Sequence, residues 1–361
     1  MFRTLALLLA LVLPGPVLTA EEPEVAPWSV TLFDPPLSFD GTLEVADYVP
    51  LARAERPWKL CALYPHLKDA YWLSVNFGMV EEARRLGVAL QVLEAGGYPN
   101  LDRQRHQFQR CLEEGADAVM LGTVSYDGMT DLVLASPVPV VAAVNDINKR
   151  GIAAMSGVSW REMGRSVGAY LAARHPQGSP PVRVAWFPGP EGAGWVRFVQ
   201  EGFHAGLADS AVEVVVTMWG DTGREIQHIL VEEALEAHPD LDYLVGSAVT
   251  AEAAIGLLRA RGQSEEIGVL ADYFTHGVYR GIKRNTVLAA PTDQPVLQGR
   301  LAVDMAVRLL EDRLVVRHVG PAIEVVDPET LETIRLDQSL APAWFKPQFT
   351  LDPEDQGQPT N

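Results

Sequence analysis

From residue 58 onward, short apolar runs alternate with segments of helical period, and this alternation restricts the chain to a parallel-sheet α/β architecture. The run 58–64 (WKLCALY) reads as a buried strand. In 71–86, Val75, Met79 and Ala83 share one helical face and Gly87 closes the turn. The same reading gives strand 88–93, helix 101–114, strand 118–124, a short helix 129–135 and strand 139–144. A second series follows: helices 161–174, 196–207, 224–237 and 251–261 alternate with strands 182–187, 212–218, 243–246 and 267–271. A last strand is expected at 286–290, before helix 296–311. Strands separated by helices of this length form βαβ units on parallel sheets. With 361 residues there is material for two such lobes.

The expected organisation is a signal peptide over 1–20, an irregular Pro- and acid-rich arm over 21–57, a first lobe over 58–155 and a second over 156–286. Residues 287–320 cross back to the first lobe. A crossover and a Pro-rich, frayed tail occupy 315–361, with apolar alternation at 323–326. Arg3, the apolar run Leu5 to Leu13, the break at Pro14-Gly15 and small residues at Thr19-Ala20 make up the export signal; the run is too short for a membrane span. An exported, periplasmic location follows. Acidic residues outnumber basic ones 47 to 29, for a net charge of -18. Such a chain is repelled by nucleic acid and anionic lipid. The two cysteines, Cys61 and Cys111, fall on the first predicted strand and the second predicted helix. Export permits a disulfide between them, and two buried thiols are the alternative.

In open parallel sheets, ligands sit beyond the carboxyl ends of the strands. Two facing sheets therefore make a cleft, with hinge closure as the natural motion. The segments after the predicted strands are crowded with aromatic residues: Tyr71, Trp72, Tyr98, Trp160 and Tyr273. A ring of aromatic faces suits a quaternary ammonium group, because the negative π face attracts the cation. Signals for catalysis are weak. There is no G-x-x-x-x-G-K-[ST] loop and no G-x-S-x-G elbow, and the eight histidines lack zinc spacing. The stretch Gly189-Pro190-Glu191-Gly192-Ala193-Gly194 lacks the dinucleotide spacing and reads as a strand-to-helix turn. Asp272 and Asp293 are the best-placed carboxylates, and ligand hydrogen bonding accounts for both.

The segments 60–79 (LCALYPHLKDAYWLSVNFGM) and 92–98 (VLEAGGY) carry a family resemblance, joined by 117–122, 187–190, 247–254 and 278–284. Over about residues 57–320 the chain resembles the trimethylamine N-oxide (TMAO) sensors of the sugar-type periplasmic-binding-protein superfamily, class I. The resemblance implies two doubly wound lobes joined by a hinge, no cofactor and no catalysis. It implies a TMAO ligand, or a close methylamine, and a membrane sensor histidine kinase whose periplasmic domain is the partner. The family's aromatic pocket carries over onto Tyr71, Trp72, Tyr98, Trp160 and Tyr273. A Tyr71 or Tyr98 hydroxyl or the Trp72 indole would donate to the N-oxide oxygen, with Asp293 near the methylammonium. The rival readings are the sugar- or polyol-binding component of a transporter and an enzyme acting on methylamines.

Overall fold

A computed structural model describes residues 25–353. The expected signal peptide and the last eight residues, 354–361, lie outside the described residues. The chain opens with a hairpin, β1 (Trp28–Asp34) and β2 (Thr42–Tyr48). The first βα series follows: β3 (Lys59–Tyr64), α1 (Ala70–Leu86), β4 (Ala89–Glu94), α2 (Leu101–Glu113), β5 (Ala118–Leu121), α3 (Thr130–Ala135), β6 (Val140–Ala143) and β7 (Ala154–Ser156). The second comprises α4 (Trp160–Arg174), β8 (Val182–Gly189), α5 (Gly194–Gly206), β9 (Val212–Trp219), α6 (Arg224–Ala237), β10 (Tyr243–Gly246), α7 (Ala248–Arg261), β11 (Gly268–Ala271) and α8 (His276–Lys283). The chain then returns through β12 (Ala290–Thr292), α9 (Pro295–Leu310), β13 (His318–Gly320), β14 (Glu324–Val326), α10 (Leu336–Ser339) and β15 (Thr350–Leu351).

The strands form two principal sheets. The larger has the order β15-β4-β3-β5-β6-β7-β13-β1-β2, and the smaller β11-β10-β8-β9. Strands β3 to β7 are mutually parallel, as are β8 to β11. Each sheet is covered by helices, α1 against α9 on the first lobe and α4 against α5 on the second. Central strands of both sheets are buried along nearly their whole length, which is why they read as unbroken apolar runs. The small pair β12-β14 lies beside the second sheet, tied to it by a bridge from Ala289 to Leu270. The chain therefore passes between the lobes around 157–159, 292–295 and 320–324.

Four expectations require correction. The segment 21–57 is not irregular: β1 and β2 extend the first sheet, with β1 antiparallel to β13. Its sequence alternates with period two, placing Trp28 and Val30 inward. Buried Asp304 of α9 anchors the arm, accepting from Tyr48 Oη at 2.6 Å and from the Leu51 amide at 2.7 Å. The tail to residue 353 is not frayed, because β15 adds to the edge of the sheet beside β4 and Phe345 is buried against Phe77. The strand expected at 286–290 is assigned at Ala290–Thr292, where it pairs antiparallel with β14, while Ala289 still bridges Leu270 in parallel. The strand expected to reach residue 124 ends at Leu121, and its last three residues turn into the cleft. The short β7 escaped notice because three residues carry no periodicity.

Cys61 and Cys111 are joined by a disulfide between β3 and α2, with a Cα–Cα distance of 5.9 Å. Among the described residues no helix is long and apolar enough to cross a membrane.

Candidate functional site

The carboxyl ends of the two sheets face one another, and the residues after each strand meet there. Asp69 caps the N-terminus of α1, its Oδ1 accepting from the Trp72 amide at 3.0 Å. This cap fixes the first turn of α1, so Tyr71 and Trp72 are presented from a rigid element. Trp72 lies flat across the strand ends, where Gly122 leaves the space that a Cβ would fill. Tyr98 follows β4 and Asn145 follows β6. From the other side, Ser159 caps α4 by accepting from the Glu162 amide, which places Trp160 at the first helical position. The Trp160 Nε1–H donates to the Val144 carbonyl at 3.0 Å. Trp195 is the second residue of α5, which starts without a side-chain cap, and Gly189, at φ +113, makes room for its indole. Tyr273 follows β11.

These side chains close on one another. Ring centroids of Tyr71 and Tyr273 are 5.2 Å apart, and those of Trp160 and Trp195 4.9 Å. Tyr98 stands 6.1 Å from Trp195, and Tyr71 stands 6.1 Å from Trp72 and 6.2 Å from Trp160. Tyr273 completes the ring at 6.3 Å from both Trp160 and Trp195. All six are at most 8% exposed. They line, with Asp69, Asn145 and Thr222, a nearly closed cavity of about 10 Å³. That is below the usual range for drug-sized ligands. It is about the room that one water molecule needs, so the rings lie packed on one another.

The polar groups are divided between two sides. The Asp69 carboxylate is the acidic member of the lining. Around the Tyr98 hydroxyl gather donors: Asn145 Nδ2 at 3.2 Å, with the Trp72 and Trp195 indoles close enough to favour its ionised form. Burial outweighs them and raises the Tyr98 pKa, so the phenol stays protonated. The Trp195 Nε1–H is buried and has no partner in the protein. Burial likewise raises Tyr273 and Tyr71, the latter aided by Asp293.

Across the mouth, Lys68 Nζ lies 2.5 Å from Asp221 Oδ2, and His66 Nε2 is 3.0 Å from Thr222 Oγ1. Both contacts join the β3–α1 loop of the first lobe to the β9–α6 loop of the second. Burial lowers the His66 pKa, so the imidazole is neutral.

Of the six expected ligand residues, the structure brings Tyr71, Trp72, Tyr98, Trp160 and Tyr273 onto one cavity. Asp293 stands behind Tyr71, outside the lining, and its Oδ2 accepts from Tyr71 Oη at 2.5 Å and from Gln298 Nε2 at 2.6 Å. Its contact is with the tyrosine that faces the cavity. Sequence reading missed Trp195, Asp69, Asn145 and Thr222. Trp195 sits just past the glycine-rich turn, and its place at the start of a helix following a strand was the available signal. Asp272 is wholly buried after β11 with neither carboxylate oxygen hydrogen-bonded, and desolvation raises its pKa well above the carboxylate range. Among the described residues no group of His, Cys, Asp and Glu is placed to hold a metal ion.

Comparison with known proteins gives a consistent set. The model of the family described as periplasmic binding proteins and sugar binding domain of LacI family matches residues 57–336. The periplasmic protein TorT of Escherichia coli (strain K12) is 43% identical over 82% of this chain and 86% of its own length. An ABC transporter solute binding protein from Bradyrhizobium sp., solved with bound bis-tris, is 48% identical with a TM-score of 0.77, covering 90% of this chain and 98% of that one. The complex of the TorS sensor domain with TorT in the presence of TMAO superposes with a TM-score of 0.74 at 42% identity, over 81% of this chain and 99% of that one.

Proposed function

The chain belongs to the periplasmic-binding-protein family, and from that premise we propose that it binds TMAO in the aromatic cage and reports occupancy to the periplasmic domain of a membrane histidine kinase. The observation that carries this reading is the ring of six aromatic side chains, three from each lobe, closing on one small cavity. Aromatic faces attract a methylated cationic nitrogen and desolvate its methyls. The Asp69 carboxylate adds an opposite charge on one side. On the other, the Trp195 and Trp72 indoles, Asn145 and the protonated Tyr98 supply donors for the N-oxide oxygen. Asp293 acts through Tyr71, fixing the ring by accepting its hydroxyl proton. The TorT relative, in complex with the TorS sensor domain, supports the kinase as partner. The role is binding without turnover, in keeping with a family of binding proteins.

A second reading has a specific observation in its favour. The Bradyrhizobium relative is described as a transporter solute binding protein, and delivery of a small amine to a permease would use the same cage. Isothermal titration of residues 21–361 separates the readings. Saturable heat with TMAO but not with ribose, and a complex with the kinase periplasmic domain, are expected. Binding of a sugar, or of TMAO with no kinase complex in either ligand state, overturns the sensor assignment.

A further inference from the structure

The chain carries 47 acidic and 29 basic residues, yet one face of the second lobe is basic. A groove of about 390 Å³ runs along α6, α7 and α8. Its rims carry Arg224 and His228 from α6, Arg259 from α7, Arg280 from α8 and Arg284 just beyond it. All five are exposed. Among the described residues the four arginines form no ion pair, whereas nearby Arg261 is held by Glu232 and Glu236. The acidic residue of the groove wall, Glu252, accepts from Thr275 Oγ1 at 2.9 Å. Guanidinium groups gathered on one wall repel each other unless an anion lies among them. The floor is made of small residues, Ala253, Gly256, Gly277 and Gly281, and a Cβ on Gly256 would meet nothing within 4 Å.

It also leads somewhere. Arg224, Glu252, Gly277 and Arg280 are shared with a second hollow of about 160 Å³, whose walls include Lys68 and Thr222. Thr222 and Asp69 belong in turn to the wall of the aromatic cage. The groove thus runs from the outer face of the second lobe to the two contacts that join the lobes across the cleft.

We propose that this groove docks an acidic segment of the kinase periplasmic domain, an inference that rests on the partner reading above and assigns it a surface. The basic groups are spread over three helices along a trench, a layout for successive carboxylates rather than for one small anion. A segment lying in it reaches the mouth of the cleft, where Lys68 comes from the first lobe and Thr222 from the second. It therefore senses the relative placement of the lobes, which the ligand sets.

The test uses the full mature chain and two variants outside the cage: the double charge reversal Arg259→Glu/Arg284→Glu, and Gly256→Trp, which plugs the floor without a clash. Two probes are titrated, the kinase periplasmic domain and a fluorescent oligoglutamate peptide, with TMAO affinity as the control. Both variants keep TMAO affinity and lose at least about tenfold in affinity for both probes, and the wild-type interaction weakens as salt rises through the range where the Debye length falls from about 10 to 3 Å. Wild-type affinity for both probes in the two variants overturns the groove assignment. So does displacement of the peptide by inorganic phosphate at equal concentration, which would make this a small-anion site. A wild-type chain that takes TMAO but never binds the kinase domain overturns the partner reading instead, and the peptide arm still decides the groove.

Discussion

Replacing Trp195 with phenylalanine separates the two things the cage offers its ligand, an aromatic face and a donor. The indole is buried against Trp160 at 4.9 Å, and its Nε1–H has no partner in the ligand-free protein. Phenylalanine keeps an aromatic face and removes the donor. A hydrogen bond to a charged oxygen contributes about 1.5–3 kcal/mol, so TMAO affinity should fall by roughly ten- to 150-fold. Lost ring area also weakens binding, and tetramethylammonium, of similar shape but without the oxygen, measures that part alone. The expected result in parallel isothermal titrations is a TMAO-to-tetramethylammonium affinity ratio lower by at least about tenfold. The unpartnered N–H costs the free protein free energy, so its removal offsets part of the packing loss and the thermal midpoint should move little. Equal losses for both ligands would refute the assignment of Trp195 as the oxygen donor.

Other expectations follow from the same geometry. Trp72→Ala should weaken TMAO binding by about thirtyfold or more with an unchanged circular dichroism spectrum, and retained affinity would sink the cage. Lys68→Ala removes a half-exposed bridge to Asp221, so TMAO affinity should drop by no more than about fivefold, and titration at high salt should erase the difference. Burial pushes the His318 pKa down to about 3. The fold therefore favours the neutral ring, and this contribution, present above the unfolded value near 6.5, is lost as pH falls from there toward 3, at up to about 1.4 kcal/mol per pH unit. Denaturant melts of wild type and His318→Gln should converge over that window. Replacing both Cys61 and Cys111 by serine opens a loop spanning 50 residues and should cost up to about 4 kcal/mol in chemical denaturation.

The parts of the site legible in the sequence were those fixed by a strand's end. Tyr71, Trp72, Tyr98, Trp160 and Tyr273 each follow a parallel strand or open the helix after it, so topology alone delivers them to the cleft. Trp195 obeys the same rule but hides behind a glycine-rich turn, whose weak phosphate-loop pattern drew the eye. Asp69 and Thr222 are ordinary loop residues until the lobes are placed face to face, and no local pattern carries that placement. The hairpin of β1 and β2 was missed for a different reason. Its alternation, Trp28 and Val30 in, Ser29 out, is a strand signal obscured by flanking proline and acid, and what secures it is Asp304 of α9, far away in sequence. Asp293 illustrates the limit for charges: sequence places a carboxylate near the cleft, but only packing decides that it faces Tyr71 rather than the cavity.

The division of the cage between the lobes gives the binding energy its leverage. If the ligand sits in this cage, the first lobe alone would offer it Tyr71, Trp72 and Tyr98, and closure would add Trp160, Trp195 and Tyr273. At about 2 kcal/mol for each desolvated aromatic contact, the added faces contribute on the order of 6 kcal/mol. Moving a two-state equilibrium from 1:99 to 99:1 requires about 5.5 kcal/mol of differential affinity. The ligand can therefore set the lobe arrangement by itself, without any element designed as a switch. The Lys68–Asp221 and His66–Thr222 contacts form between protein groups and need no ligand, so they close part of that gap in advance. Strengthening them would tighten TMAO binding while reducing the change in population that TMAO produces. A receptor of this kind gains sensitivity as a reporter by keeping those contacts few, and the Lys68–Asp221 bridge, one-third exposed at its lysine, is weakened by solvent screening.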